Sequence, residues 1–431
     1  MFDVFKNAWK VEDLREKLLY TLLIIVIFRV GSAIPVPFLD PSALSAMISA
    51  NSGNLLGYLN MLTGGALAQS TVFSLSIGPY ITASIVIELL AVAIPALEKI
   101  AKEGPEGRKK LNKITRYSTV ALALMQAYAY YTILKSYNAV QKFDNGWENA
   151  LATITILFMF TAGAMLVVWL GDRIDAKGIG NGISMILFAG IVSGGPRLIS
   201  TLWAYLTSGE AKYYFFVPAL IVIFILLIAF IVLMNDAERR IPVQYAKRVV
   251  GRKQYGGQST HMPIKVAMAG VLPIIFAGSL LAIPETIKAF VNVKDGSFWA
   301  GFFDLFKQGS WFYSVLYFVL IVAFSYFYVA IQYNPVEMAN NLQKNNGAIP
   351  GIRPGRPTSD FITRIVGKIT FIGALFLGVI ALLPTIIGAI SGIQGVTVGG
   401  TTVIIVVSVA LETARSLESQ MMMRHYKGFL E

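Results

Sequence analysis

Six aliphatic side chains at helical spacing are the residues of this chain best placed to act at a constriction. Ile81 and Ile85 stand four apart, Ile183 and Leu187 repeat the spacing, Ile275 closely follows Pro273, and Ile405 lies midway along another apolar stretch. Residues four apart share one face of a helix. Branched aliphatics offer no hydrogen bonds, so a ring of them at a narrow point expels water and blocks ions by dewetting. The same side chains packed in a core or against lipid would have the same spacing. Sequence spacing alone leaves both readings open.

Ionisable chemistry is sparse. Among the long apolar segments Glu88 is the exception, and it reads equally as a carboxyl in a wet interior or as a gate or proton-binding group. Arg29 and Lys368 stand near segment ends, where long side chains can snorkel, and Glu285 lies just past one. Cys is absent and the His residues are His261 and His425, so disulfides are excluded and zinc, haem and iron–sulfur sites lose their usual ligands. Gly367-Lys368-Ile369-Thr370 looks like the tail of a phosphate loop, but Ile362 occupies the position of its first glycine. Gly178–Gly182 resembles a dinucleotide fingerprint, yet it follows an apolar span rather than a strand, and reads as a tight turn. The chain is therefore expected to hold no metal and no cofactor and not to be an enzyme. Any work done through it must be powered by a partner.

The elements that position these residues are membrane spans. With 55% hydrophobic and 14% charged residues, the chain is too apolar for a water-soluble globule. The apolar residues arrive in runs of about 20, the length of helix that crosses a ~30 Å hydrocarbon core. Ten such runs are expected, over about 18–34, 72–93, 114–134, 151–170, 183–206, 215–234, 264–283, 311–331, 369–390 and 396–411. Alternating strand-length segments are not seen, which argues against a β-barrel. The amphipathic start, with Phe2, Phe5 and Trp9 on one helical face, suits a bilayer surface, and no cleavage site of a removable leader follows it.

Charge orients the spans. The termini and every second gap together carry 27 of the 36 Lys and Arg residues. Basic residues flanking spans favour the cytoplasmic side, so both termini and the large basic loops are expected there. The net charge of +12 is explained better by this orientation than by nucleic-acid binding, although the loops leave room for a ribosome contact.

One segment breaks the pattern. Residues 55–68 are apolar but interrupted by Gly57, Gly64 and Gly65, and they contain Asn60. As helix this piece would reach only ~20 Å, too short to cross. It reads as a segment that re-enters the membrane and lines a cavity, with a helix on the outer surface as the alternative. Five spans lie on each side of the gap at about 206–213, so the two halves run in opposite directions, as in inverted-repeat membrane proteins. Three functions fit so far: a passive channel, a secondary transporter with inverted repeats, or a structural membrane subunit. The transporter would need more charge at the midplane than Glu88 supplies.

Longer motifs decide among them. RVGSAIPVP (29–37), SIGPYITASIVIELL (76–90), GIGNGISMILFAGIV (178–192), ERRIPVQYAKR (238–248), STHMPIKVAMAGVLPIIFA (259–277) and NPVEMANNLQKNNGAIPGIRPG (334–355) occur in order. In these the chain resembles, over essentially its whole length, the SecY family of channel subunits of the bacterial protein-translocation complex. The resemblance implies an all-α integral membrane protein of ten helices in two pseudo-symmetric inverted halves, 1–206 and 207–431, shaped as an hourglass. It implies a pore ring of Ile81, Ile85, Ile183, Leu187, Ile275 and Ile405, with Leu187 where relatives often have isoleucine. It implies a plug at about 55–67, including Leu55, Leu56, Gly57, Asn60, Leu62, Gly64 and Gly65. A lateral gate would use Thr82, Ile85, Glu88, Ile274 and Gly278, with Glu88 where relatives often carry glutamine.

The resemblance also implies partners. The cytoplasmic loops at about 235–263 and 334–364 would dock the SecA motor ATPase and the ribosome through Arg239, Arg240, Tyr245, Lys247, Arg248 and Arg353. SecE and SecG would be companion subunits, and the cargo would be signal sequences and unfolded preproteins, with membrane lipids around the gate. The location would be the bacterial plasma (inner) membrane. A signal segment would wedge between spans two and seven, the plug would move out, and an extended chain would thread the ring.

Overall fold

The computed structural model describes residues 2–40, 60, 63–136, 138–245, 248–250, 253–255, 259–290, 298–306, 310–391 and 400–427. Of the expected plug residues, Leu55, Leu56, Gly57 and Leu62 lie outside these. The N-terminal half holds α1 (Phe2–Lys10), α2 (Glu12–Gly31), α3 (Gly78–Ala93), α4 (Pro95–Lys102), α5 (Pro105–Ser136), α6 (Gly146–Lys177), α7 (Gly182–Ser193) and α8 (Gly195–Leu206). The second half holds α9 (Ala211–Asp236), a ribbon of β1 (Glu238–Tyr245), β2 (Arg248–Val250), β3 (Lys253–Tyr255) and β4 (Ser259–Lys265), then α10 (Leu272–Phe290), α11 (Phe298–Leu305), α12 (Trp311–Gln332), α13 (Pro335–Lys344), β5 (Gly347–Ala348), α14 (Arg356–Ser391) and α15 (Gly400–Lys427).

Each of the ten expected spans contains a helix, although the seventh, expected from Ile264, begins only at Leu272, residues 264–265 belonging to β4 and 266–271 forming turns. Among the described residues, five helical stretches are long and apolar enough to cross a membrane unaided, or six if α3 and α4 count as one bent span. The bend is 106°. Its cause is Pro95, which forces the preceding Ile94 into extended backbone and ends α3 there. The span expected from Val72 begins later, at Gly78, because Pro79 sets the first helical turn. Residues 72–77 form turns instead, and this non-helical backbone is tolerated because it is enclosed by protein. The fifth span breaks at Gly194 into α7 and α8.

Three apolar cores hold the bundle. Ala127, Tyr130, Ile156 and Phe160 of α5 and α6 enclose Leu67 and Ala68 in the first. Leu227, Ile231, Ile274, Ile321, Phe376 and Ile404 build the second from α9, α10, α12, α14 and α15. The third joins Phe28, Val167, Ile174 and Ile186 of the N-terminal half to Ile405 and Val409 of α15. The last helix therefore crosses back and packs against α7 and α1 as well as α9 and α14. Lys17 of α2 donates to Gln420 of α15 at 3.0 Å, adding a polar tie between the ends of the chain. Outward faces are apolar too. Only 22% of the most apolar stretch of α9 is buried in the protein, a surface suited to lipid and not to water.

Candidate functional site

Four of the six aliphatic positions meet. Ile81 of α3, Ile183 and Leu187 of α7, and Ile405 of α15 belong to one apolar cluster with Phe73 and Val409. Adjacent isoleucines on α15 divide between cores: Ile405 joins this cluster, while Ile404 joins the core of the C-terminal half. The reason is the ~100° turn per residue of a helix that lies between two cores. Ile85 is buried but outside the cluster, and Ile275 is half-buried and outside it as well. On that side the residue that reaches both cores is Val271. It precedes Ile275 by four positions, the spacing that singles out the other pairs.

The described part of the expected plug is a hydrogen-bonded knot. Asn60 is buried, and its side-chain oxygen accepts from the amide of Ala68 at 2.8 Å while its carbonyl accepts from Gly65 N at 2.7 Å. The Thr63 hydroxyl donates to the Asn60 carbonyl at 2.9 Å and accepts from Leu67 N at 3.2 Å. Ser74 donates to Ala66 O at 3.0 Å, and the buried Tyr130 hydroxyl donates to Leu67 O at 2.7 Å. Val36 N bonds Ser70 O and Val72 N bonds Ile34 O, which laces the stem to the chain leaving α2. Irregular backbone in a membrane protein must find such partners inside the protein. Within this knot, residues 63–68 form turns anchored by Asn, Thr, Ser and Tyr side chains, which offer only polar residue type as a signal.

Arg29 departs from expectation. Rather than snorkelling outward, it turns inward: its guanidinium donates to Ser193 Oγ at 2.9 Å and lies 3.5 Å from the Gly64 carbonyl. Three segments, the end of α2, the stem and the end of α7, meet at this one side chain.

The expected gate residues divide. Thr82 bonds back to Gly78 O at 3.1 Å within α3. Glu88 hydrogen-bonds Ser84 one turn earlier and lies within electrostatic reach of Tyr328 on α12. Ile274 is buried in the core of the C-terminal half, which contains no residue of α3, and a Cβ added at Gly278 would meet the Tyr317 hydroxyl of α12 at 4.0 Å. Helix α10 packs on α12 and touches α5 and α14, while its contact with α3 is slight at most.

The basic loops contain strands, where the sequence predicts only loop. Hydrophobic alternation in β1 points Ile241 and Val243 inward and leaves Arg239, Arg240, Pro242 and Gln244 exposed. β1 pairs antiparallel with β4 and, through Gln244↔Ala348 and Tyr245↔Gly347, with β5. The two large loops, about a hundred residues apart, become one sheet, seated on Val329, Ile362, Val366 and Ile369 at the helix ends. Arg240 pairs with Glu238 at 2.7 Å, and Arg353 is exposed, its carbonyl accepting from Thr358 Oγ1 at 2.8 Å. Lys247 and the Arg248 side chain lie outside the described residues. Gly178–Gly182 is the expected turn, capped by Asn181, and Gly367 lies inside α14, in helix rather than a phosphate loop.

Comparison with known proteins agrees with this geometry. The family model described as SecY matches residues 71–414. The chain is 45% identical to the protein translocase subunit SecY of Streptomyces griseus and 44% identical to that of Streptomyces galbus, covering all of both chains in each case. With that of Thermotoga maritima it shares 41% identity over 100% of this chain and 98% of the relative. Among solved structures, one described as a protein conducting channel superposes with a TM-score of 0.61 at 18% identity, covering 94% of this chain and 92% of the other. Another, concerned with the plug domain of SecY, gives 0.64 at 19% identity over the same shares. These support a membrane-embedded protein-translocation channel and give no support to the transporter alternative, and the chain belongs to the SecY family.

Proposed function

We propose that the waist cluster is the pore ring, that residues 55–67 are the plug, and that the seam between α3 and α10 is the lateral gate. The observation that carries this reading is the meeting of Ile81, Ile183, Leu187 and Ile405 in one cluster without a hydrogen-bonding side chain among them. Such a waist seals by exclusion of water. A hydrophobic signal segment wedges at this seam, where α3 and α10 make little contact with each other, so opening costs little. An extended chain then slides past side chains that grip nothing.

The polarity of the loops supports a cytoplasmic sheet of β1, β4 and β5 as the docking surface for SecA and the ribosome, through Arg239, Arg240, Tyr245, Lys247, Arg248 and Arg353. Two related channels were solved bound to ribosomes, canine Sec61 and yeast Ssh1. SecE and SecG are the companion subunits in this reading. The bacterial plasma membrane, with both termini cytoplasmic, is the location that the charge distribution favours.

The test is site-specific crosslinking. The chain is reconstituted with its partner subunits in liposomes, and a preprotein is stalled in transit with SecA and ATP. Photoreactive groups at Leu187 and Ile275 are expected to capture the stalled chain, while one at Ile225 on the lipid face of α9 is not. Capture at Ile225 but not at Leu187 or Ile275 would place the path outside the bundle and end the proposal.

A further inference from the structure

The side chain of Arg29 joins three parts of the fold that the channel reading assigns to different duties. Its guanidinium donates to Ser193 Oγ at 2.9 Å, and Ser193 in turn donates to the Gly190 carbonyl at 2.6 Å in the last turn of α7. It also lies 3.5 Å from the Gly64 carbonyl of the stem. Arg29 lies in the last turn of its own helix, α2, and its guanidinium reaches the last turn of α7. Helix C-termini carry partial negative charge and stabilise a cation. No carboxylate pairs with Arg29 among the described residues within ion-pair distance. The charge is held by backbone and hydroxyl oxygens.

Gly64 is shaped for this contact. Its φ is +67°, which side-chain-bearing residues rarely adopt. A Cβ there would stand 2.4 Å from Ser193 Oγ, 2.7 Å from the Gly190 carbonyl and 2.8 Å from the Arg29 guanidinium. Only glycine lets the stem approach α7 and Arg29 this closely.

We infer that Arg29 is a reversible latch, a positioning residue that fastens the stem at Gly64 to the end of α7 and holds the plug closed. The unequal distances suit that duty. The short bond to Ser193 keeps the guanidinium satisfied when the stem leaves, while the long approach to Gly64 is the arm that releases. Movement of the plug forfeits one charge-assisted contact and strands no buried charge. The inference rests on the reading of residues 55–67 as a plug.

The chain contains no cysteine, so Ala66→Cys, at a buried stem position, supplies its single thiol. Channels with partner subunits are reconstituted in planar bilayers for idle conductance, and in vesicles for labelling of that thiol by a membrane-impermeant maleimide. Arg29→Gln is expected to raise both readouts about three- to tenfold, the range for loss of one net hydrogen bond. Gly64→Ala should do the same from the other side of the contact, which keeps the test alive if one variant folds poorly. In a channel lacking residues 55–62, Arg29→Gln should add no further conductance. Wild-type conductance and labelling in both variants overturns the latch. So does a leak without faster labelling, or an added leak in the shortened channel. If shortening itself leaves the idle conductance unchanged, the plug reading fails. If shortening opens the channel and Arg29→Gln does not, the latch alone fails.

Discussion

The stem and the waist touch through Phe73 and Val72, yet they are held by opposite physics. The stem, from Asn60 to Ser74, is fastened by hydrogen bonds from Asn, Thr, Ser and Tyr side chains to specific backbone groups. The waist, from Ile81 to Ile405, is fastened by apolar packing of Ile81, Ile183, Leu187 and Ile405. Hydrogen bonds are directional and costly to leave unmade inside a protein, so they define one resting position. Apolar contacts are non-directional and can be exchanged for those of any other apolar surface. In the channel reading proposed above, one molecule combines a fastened closure with a permissive aperture. Arg29 belongs with the stem, where the Ser193 hydroxyl and the Gly64 carbonyl meet its charge.

The largest effect should come from giving the waist the chemistry of the stem. Ile81→Asn or Leu187→Asn places an amide in an apolar cluster. Burying an unpaired amide costs ~1–3 kcal/mol, so the idle conductance in planar bilayers should rise by about 10- to 100-fold, while Ile81→Val changes it little. Equal conductance in all three channels would remove dewetting as the sealing principle.

The next effect should come from crowding the stem. Gly163 of α6 lies so close to the stem that an added Cβ would stand 1.9 Å from the Val72 carbonyl. Backbone cannot give way as a flexible side chain can, so Gly163→Ala should destabilise the purified channel by about 1–3 kcal/mol, seen as a lower thermal midpoint in detergent. An unchanged midpoint would show that the stem is softer than its hydrogen bonds suggest.

Smallest is the removal of one stem bond. Tyr130→Phe keeps the edge-on packing against Phe160 and deletes the hydroxyl that meets Leu67 O. About 0.5–1.5 kcal/mol should be lost in the same melting measurement, with the waist intact. A loss as large as that of Gly163→Ala would mean that Tyr130 supports more than the stem.

Legibility from sequence follows the same divide. The waist residues are visible as i, i+4 aliphatic pairs, because helical spacing is a local property. Val271 carries that signal too, four before Ile275, but nothing in the spacing ranks it above its neighbour. The stem is legible only as an anomaly, too short and too glycine-rich to cross. Its bonding depends on Tyr130 and on Val36 and Ile34, which come from other segments. Span two reads as starting six residues early because residues 72–77 are apolar enough to pass for helix. Their burial against α2 and α6, not their own propensity, makes turns acceptable there. Strands β1 and β4 escape a reading of composition because strong polarity in a basic loop masks the two inward positions, Ile241 and Val243.

The amino-acid sequence by itself determined the ten apolar helices, the charge asymmetry that predicts their orientation, and membership of the family. Each of the first two follows from residues partitioning between lipid and water, which a segment decides from its own composition. Only the tertiary structure decided that Ile405 and not Ile404 joins the cluster of Ile81 and Leu187, that Arg29 turns inward to α7, and that two distant loops share one sheet. Those choices depend on how a helix is rotated and which neighbour lies beside it, and packing sets both after the segments are already in place.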